Sequence, residues 1–214
     1  MLILQQLYRL KAFDFKYVDF APVHAQQDIT LPNSIEDLNS LISKCHLCDL
    51  SKTRTQSMPG YGNINADIIL IDYEVTQTQD QSCNYYGGRS GELLIKMIEN
   101  VLNLTIDDVY LTHIVKCKPN NLVSMQESWQ ISCNPYIVKQ LEIIKPKIVI
   151  AMGENAYNAI ANYHNENNFS DMRGHIMDFK TYKLIPVYHP AFLLRNPSLK
   201  KVMLHDLRAI KSLI

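Results

Sequence analysis

Three observations predict an α/β domain built on a parallel sheet. Four short apolar runs, 67–72, 108–116, 147–152 and 183–188, have strand length. Helical patterns of apolar residues fall between them. Strands alternating with helices at this spacing favour a parallel sheet covered on both faces, and such sheets bind ligands beyond the carboxyl ends of their strands.

Each element has its own signal. Residues 1–32 stand apart: Leu2, Leu4, Leu7, Leu10 and Phe13 recur at near-helical spacing, after which periodicity is lost, so a helix and a tether are expected there. The main domain is read as 33–214. Ser34 with Asp37 marks a helix start, and Ile35, Leu38, Leu41 and Ile42 form one helical face leading to Cys45. Helical patterns follow at 91–102, 135–144, 153–161 and 199–213. No repeat or low-complexity tract interrupts them.

Composition narrows the function classes. With 47% hydrophobic residues the 214-residue chain can bury a full core without disulfides. No run approaches a membrane span, and the N-terminus lacks the basic region and cleavage site of a signal peptide. A cytoplasmic protein with no membrane partner is expected, in a compartment where cysteines bind metal or do chemistry more often than they pair. Formal net charge is zero, yet 173–214 carries eight Lys/Arg against Asp178 and Asp206. That basic segment suits phosphates, with a solvated helix face as the plain alternative.

Cysteines supply the sharpest pattern. Cys45-His-Leu-Cys48 is a C-x2-C hook after a helix, Cys117 follows a strand in Lys116-Cys-Lys-Pro119, and Cys133 stands in Ser132-Cys-Asn-Pro135, read as just before a helix. Four thiolates suit zinc or an iron–sulfur cluster. The wide split of the second pair departs from a zinc ribbon and favours the cluster; buried apolar cysteines are the plain alternative. Cys83 has no partner pattern and reads as a free thiol.

Taken together, Cys45-x2-Cys48, Gly88-Arg-Ser-Gly91, Asp108-Val-Tyr, Val115-Lys-Cys-Lys-Pro119, Cys133, Lys145-Pro, Met172-Arg-Gly174 and His189-Pro-Ala-Phe-Leu-Leu-Arg-Asn-Pro197 resemble, in order and spacing, the iron–sulfur (family four) uracil-DNA glycosylases. The resemblance covers about 36–214. It implies a three-layer α/β/α domain with a central four-stranded parallel sheet. It also implies a [4Fe-4S] cluster held by Cys45, Cys48, Cys117 and Cys133, and hydrolysis of the N-glycosidic bond of a uracil, or a related damaged base, flipped out of single- or double-stranded DNA. A monomer is expected.

The same resemblance implies residue roles. His189 matches the donor to the departing base, a neutral imidazole stabilising charge that develops as the bond breaks. Asp72-Tyr-Glu-Val-Thr76 stands in place of the family's Gly-Glu-Ala-Pro-Gly turn, with Tyr73 at the acidic position and Glu74 beside it as candidate catalytic groups. Asp72, Tyr86 (at a stacking Phe) and His113 (at the Asn that reads uracil) are the candidate base contacts, with His189. Arg89, Ser90, Lys116, Arg195 and Lys200 are candidate DNA contacts. On their own, His113 reads equally as a core histidine, Arg89 as a loop arginine and Tyr85-Tyr86 as packing. Gln79 replaces a usual acidic residue while Asp80 is kept. Such losses from the first motif leave a second function open, a DNA-binding iron–sulfur protein that no longer cuts; a redox sensor is a third.

Overall fold

The computed structural model describes residues 31–119, 125–161, 169–179 and 181–214. The helix expected over 2–13 lies outside them. Pro32–Ile214 forms one compact unit. Its elements run α1 (Ile35–Ser43), β1 (Tyr61–Gly62), β2 (Ile68–Glu74), α2 (Gln77–Ser82), α3 (Gly88–Met97, continued as a π-helical turn over Ile98–Leu102) and β3 (Val109–Val115). They continue with α4 (Glu127–Ile144), β4 (Ile148–Met152), α5 (Glu154–Ala161), α6 (Phe169–Met172), β5 (Met177–Phe179), β6 (Tyr182–Val187), α7 (Pro190–Arg195) and α8 (Lys200–Lys211).

The sheet order is β1-β3-β2-β4-β6-β5. Its centre, β3-β2-β4-β6, is parallel and corresponds to the four apolar runs. Two short antiparallel edges complete it: β1 beside β3 and β5 beside β6. Both faces are buried, so the strands read as continuous apolar runs rather than alternating ones. Ile68 and Leu70 of β2 point into an apolar cluster with Leu94, Ile98, Leu193 and Leu207 from α3, α7 and α8. Ile69 and Ile71 are also fully buried and, by strand alternation, face the opposite side. On that side α4 packs on β3, and α5 on β2 and β4.

Ser34 caps α1 by accepting the Asp37 N–H at 3.1 Å. One boundary differs from expectation. Helix α4 already begins at Glu127 and contains Pro135, so Cys133 lies inside a helix rather than ahead of one. Trp129, Cys133, Tyr136, Ile137, Gln140 and Ile144 are its buried positions. They make one continuous stripe, and burying it outweighs the backbone bond that the proline removes.

Candidate active site and cysteine centre

Asp72 and His189 meet at the carboxyl edge of the sheet. Asp72 stands near the end of β2, and His189 is the N-cap of α7, two residues past β6. The Ala191 N–H donates to His189 Nδ1 at 3.1 Å. While the ring is neutral its proton therefore sits on Nε2, and this N–H donates to Asp72 Oδ2 at 3.0 Å. Burial alone opposes the imidazolium, but the Asp72 carboxylate outweighs it and raises the His189 pKa. Burial likewise opposes ionisation of Asp72, and His189 reverses it, holding the carboxyl below its usual range. A neighbouring hydrogen bond from the Tyr73 N–H at 2.7 Å fixes the other Asp72 oxygen.

A narrow cleft beside this pair is lined by Thr76, Gln79, Tyr85, Ser90, Asp72 and His189, among others. Thr76 and Gln79 form a reciprocal cap on α2, and Gln79 Nε2 donates to the Tyr85 carbonyl at 2.7 Å. A neutral amide thus holds the aromatic loop. Gly91 lets α3 start close to that loop, because a Cβ there would lie 2.1 Å from the Tyr86 carbonyl oxygen.

The first-motif residues separate by strand alternation, because β2 continues through Glu74, paired with Val115. Tyr73 turns to the opposite side from Asp72, where its hydroxyl donates to Gln130 Oε1 of α4 at 3.2 Å; it is not brought to His189. Glu74 shares the Asp72 side at the strand's exposed end. Burial of its carboxyl raises its pKa, Lys118 and His189 opposing and Asp72 adding. His113 is fully buried on β3 in register with Asp72, its ring centroid 5.8 Å from that of Tyr85. Burial lowers its pKa to about 4, so the ring is neutral near pH 7. Tyr86 is buried in the apolar cluster, edge-on to Tyr61. Tyr85 is the member of the pair that lines the cleft.

Cys45, Cys48, Cys117 and Cys133 line one small cavity. All four are free thiols. Burial raises the pKa of Cys48 and Cys133, and pushes that of Cys117 up to about 11. Arg54 braces the cavity: Nη1 donates to Cys117 Sγ and Nη2 to the Cys45 carbonyl, both at 2.8 Å. The Trp129 indole N–H ties α4 to Asp49, beside the hook, at 2.6 Å. Among the described residues no group of three or more His, Cys, Asp or Glu is arranged to hold a single metal ion. Cys83 is exposed and caps α2 with a positive φ.

Lys116, expected on DNA, is 1% exposed. Its ammonium donates to Thr112 Oγ1 and Gln140 Oε1 at 2.6 and 2.7 Å, beneath the surface a phosphate would meet, because it extends from the end of β3 into the interior beside Cys117. Burial lowers its pKa to about 7, with Cys133 and Cys117 opposing. Arg89 is exposed at the start of α3, and Arg195, Lys200, Lys201, Arg208 and Lys211 are exposed on the C-terminal segment. Arg173 and Lys183 of that segment are instead paired with Asp206 and Asp178.

Sequence reasoning missed Arg54, whose run Lys52-Thr-Arg54 reads as a solvated loop. Its position six residues past the hook is the one available signal. Asp80 was noted but its task was not: it accepts the backbone N–H groups of Thr55 and Gln56, holding the Arg54 loop.

Comparison with known proteins agrees with this geometry. The family model described as the uracil DNA glycosylase superfamily matches residues 59–208. The chain is 32% identical over 187 residues to a "Type-4 uracil-DNA glycosylase" of Sulfurisphaera tokodaii, covering 85% of each chain. It is 32% identical over 176 residues to one of Saccharolobus solfataricus (79% of this chain, 82% of the relative). Against one of Archaeoglobus fulgidus it is 31% identical over 186 residues (84% and 93%). With the parallel sheet, the Asp72–His189 pair at its carboxyl edge and a family match over most of its length, the chain belongs to the uracil-DNA glycosylase superfamily.

Proposed function

We propose that this protein is a DNA repair glycosylase that hydrolyses the N-glycosidic bond of uracil flipped out of DNA. The observation that carries this reading is the Asp72–His189 contact at the mouth of the cleft. The water oxygen bonds to C1′ of the sugar, and its proton passes to the Asp72 carboxylate and on to solvent. The C1′–N1 electron pair leaves with uracil as an anion. His189 turns its Nε2–H from Asp72 to the uracil O2, where charge appears only as the bond breaks. Ionised Asp72 also faces the cationic sugar of the transition state. Ser90 and Tyr85 border the base; Arg89, Arg195 and Lys200 meet the DNA backbone. Glu74, on the same side as Asp72, is a second candidate for handling water.

The four cysteines fit a [4Fe-4S] cluster. Their donors are soft thiols from three separate segments that line one cavity, and the wide split of Cys117 and Cys133 departs from a zinc ribbon. Bound there, the cluster supplies no redox step and fixes the loops between α1 and α4. High thiol pKa values mean that binding it releases protons.

A duplex oligonucleotide with one uracil tests the activity: an alkali-labile break at that position is expected. A second reading, a DNA-binding member that does not cut, is favoured by Tyr73 turning away from His189 to Gln130. A shifted but uncut duplex would establish it. No described helix is long and apolar enough to cross a membrane, and we place the activity in the cytoplasm, in a monomer.

A further inference from the structure

Among the described residues, three buried side-chain polar atoms have no hydrogen-bond partner, and two of them are the ring nitrogens of His113. Buried polar groups are ordinarily paired, and each orphan calls for an explanation. This imidazole is fully buried, lies in register with Asp72 on the adjacent strand, and approaches Tyr85 of the cleft. Resting on the glycosylase activity proposed above, we propose that His113 reads the flipped base through a single hydrogen bond whose direction follows the base, so that the site accepts a 4-oxo or a 4-amino pyrimidine alike.

The physical reason lies in the ring. An amide side chain presents a donor and an acceptor side by side, matching N3–H and O4 of uracil and clashing with N3 and the amino group of cytosine. An imidazole carries its two nitrogens on diverging directions, so one alone can meet a given base edge. Which nitrogen holds the proton is normally set by the partner of the other. Here neither has a partner, and the neutral ring donates to an oxo group in one tautomer and accepts from an amino group in the other. Discrimination then falls to how readily a nucleotide leaves the stack, which favours mismatched or single-stranded positions.

The test uses single-stranded oligonucleotides carrying one 2′-deoxy-2′-fluorouridine or one 2′-deoxy-2′-fluorocytidine, whose fluorine resists cleavage of the glycosidic bond. Binding, read by fluorescence polarisation, is then separate from turnover. The full chain should bind the two within about threefold, whereas His113→Asn should prefer the uridine oligonucleotide by about tenfold, the worth of one well-placed hydrogen bond. His113→Gln serves if the Asn variant does not fold. A tenfold uridine preference in the unaltered protein, an unchanged ratio in both variants, or no binding to either oligonucleotide overturns the proposal. Intact natural uracil DNA alongside a shifted binding ratio means that the cutting activity is wrong and the base reader is right.

Discussion

Replacing Asp72 by Asn removes one charge and keeps the shape of the contact with His189. The pair is 3.0 Å apart, with side chains 12% and 25% exposed, so water screens it weakly. A hydrogen bond to a charged group contributes about 1.5–3 kcal/mol and a neutral one about 0.5–1.5. The loss is therefore about 1–2 kcal/mol, and it lowers the His189 pKa. The sign follows from the directions of the shifts. His189 is raised above 6.5, so its contribution is complete below pH 6.5 and is lost as pH rises through the folded value. Asp72 is lowered below 3.8, so its contribution is complete above that pH and is lost as pH falls through the folded value. The pair stabilises the protein most between pH 3.8 and 6.5. Asp72→Asn should lower the melting temperature there by about 3–6 °C, and by less at pH 8. NMR titration of the His189 ring should show its pKa falling, and kcat/KM for uracil excision should fall by about 100-fold or more. A His189 pKa left unchanged would refute the contact as the source of its perturbation.

Other expectations follow from the same geometry. Arg54→Gln removes the donor to Cys117 and should weaken cluster retention about tenfold, read as iron and sulfide per chain; equal iron content would contradict the bracing role. Cys133→Ala should abolish the cluster's visible absorbance, and a colourless unaltered protein holding one zinc would overturn the cluster assignment. Gly91→Ala drives a Cβ to 2.1 Å from the Tyr86 carbonyl oxygen and should cost about 1–3 kcal/mol, seen in thermal unfolding; an unchanged melting temperature would mean that the loop yields freely. Neutralising Arg195, Lys200 and Lys201 together should reduce the slope of log binding constant against log salt by about 2–3. An unchanged slope would place DNA elsewhere.

The sheet was legible because burial on both faces leaves its mark within each strand. The run 108–116, for example, lies within a residue of β3 at both ends. Edge strands β1 and β5, two and three residues long, are too short to show a period. The first turns of α4 are not legible because Pro135 is a strong local breaker signal, and only tertiary packing of Trp129 and Cys133 overrides it. His189 and the four cysteines were legible as motifs. The Asp72 contact was not: the family turn carries glycine at that position, and nothing local states that a carboxylate placed there would meet an imidazole 117 residues away. Lys116 was misassigned for a related reason. Its DNA role came from the resemblance, its place at the end of the run 108–116 says nothing of depth, and only the Thr112 and Gln140 acceptors reveal the interior site.

Free uracil released from a single-stranded uracil oligonucleotide, quantified by mass spectrometry for the unaltered protein and for His189→Ala, bears most directly on the central claim. The expected result is stoichiometric release by the unaltered protein and a rate lower by about 100-fold or more in the variant, with equal iron content in both. Equal release by the two proteins, or none by either, would contradict it.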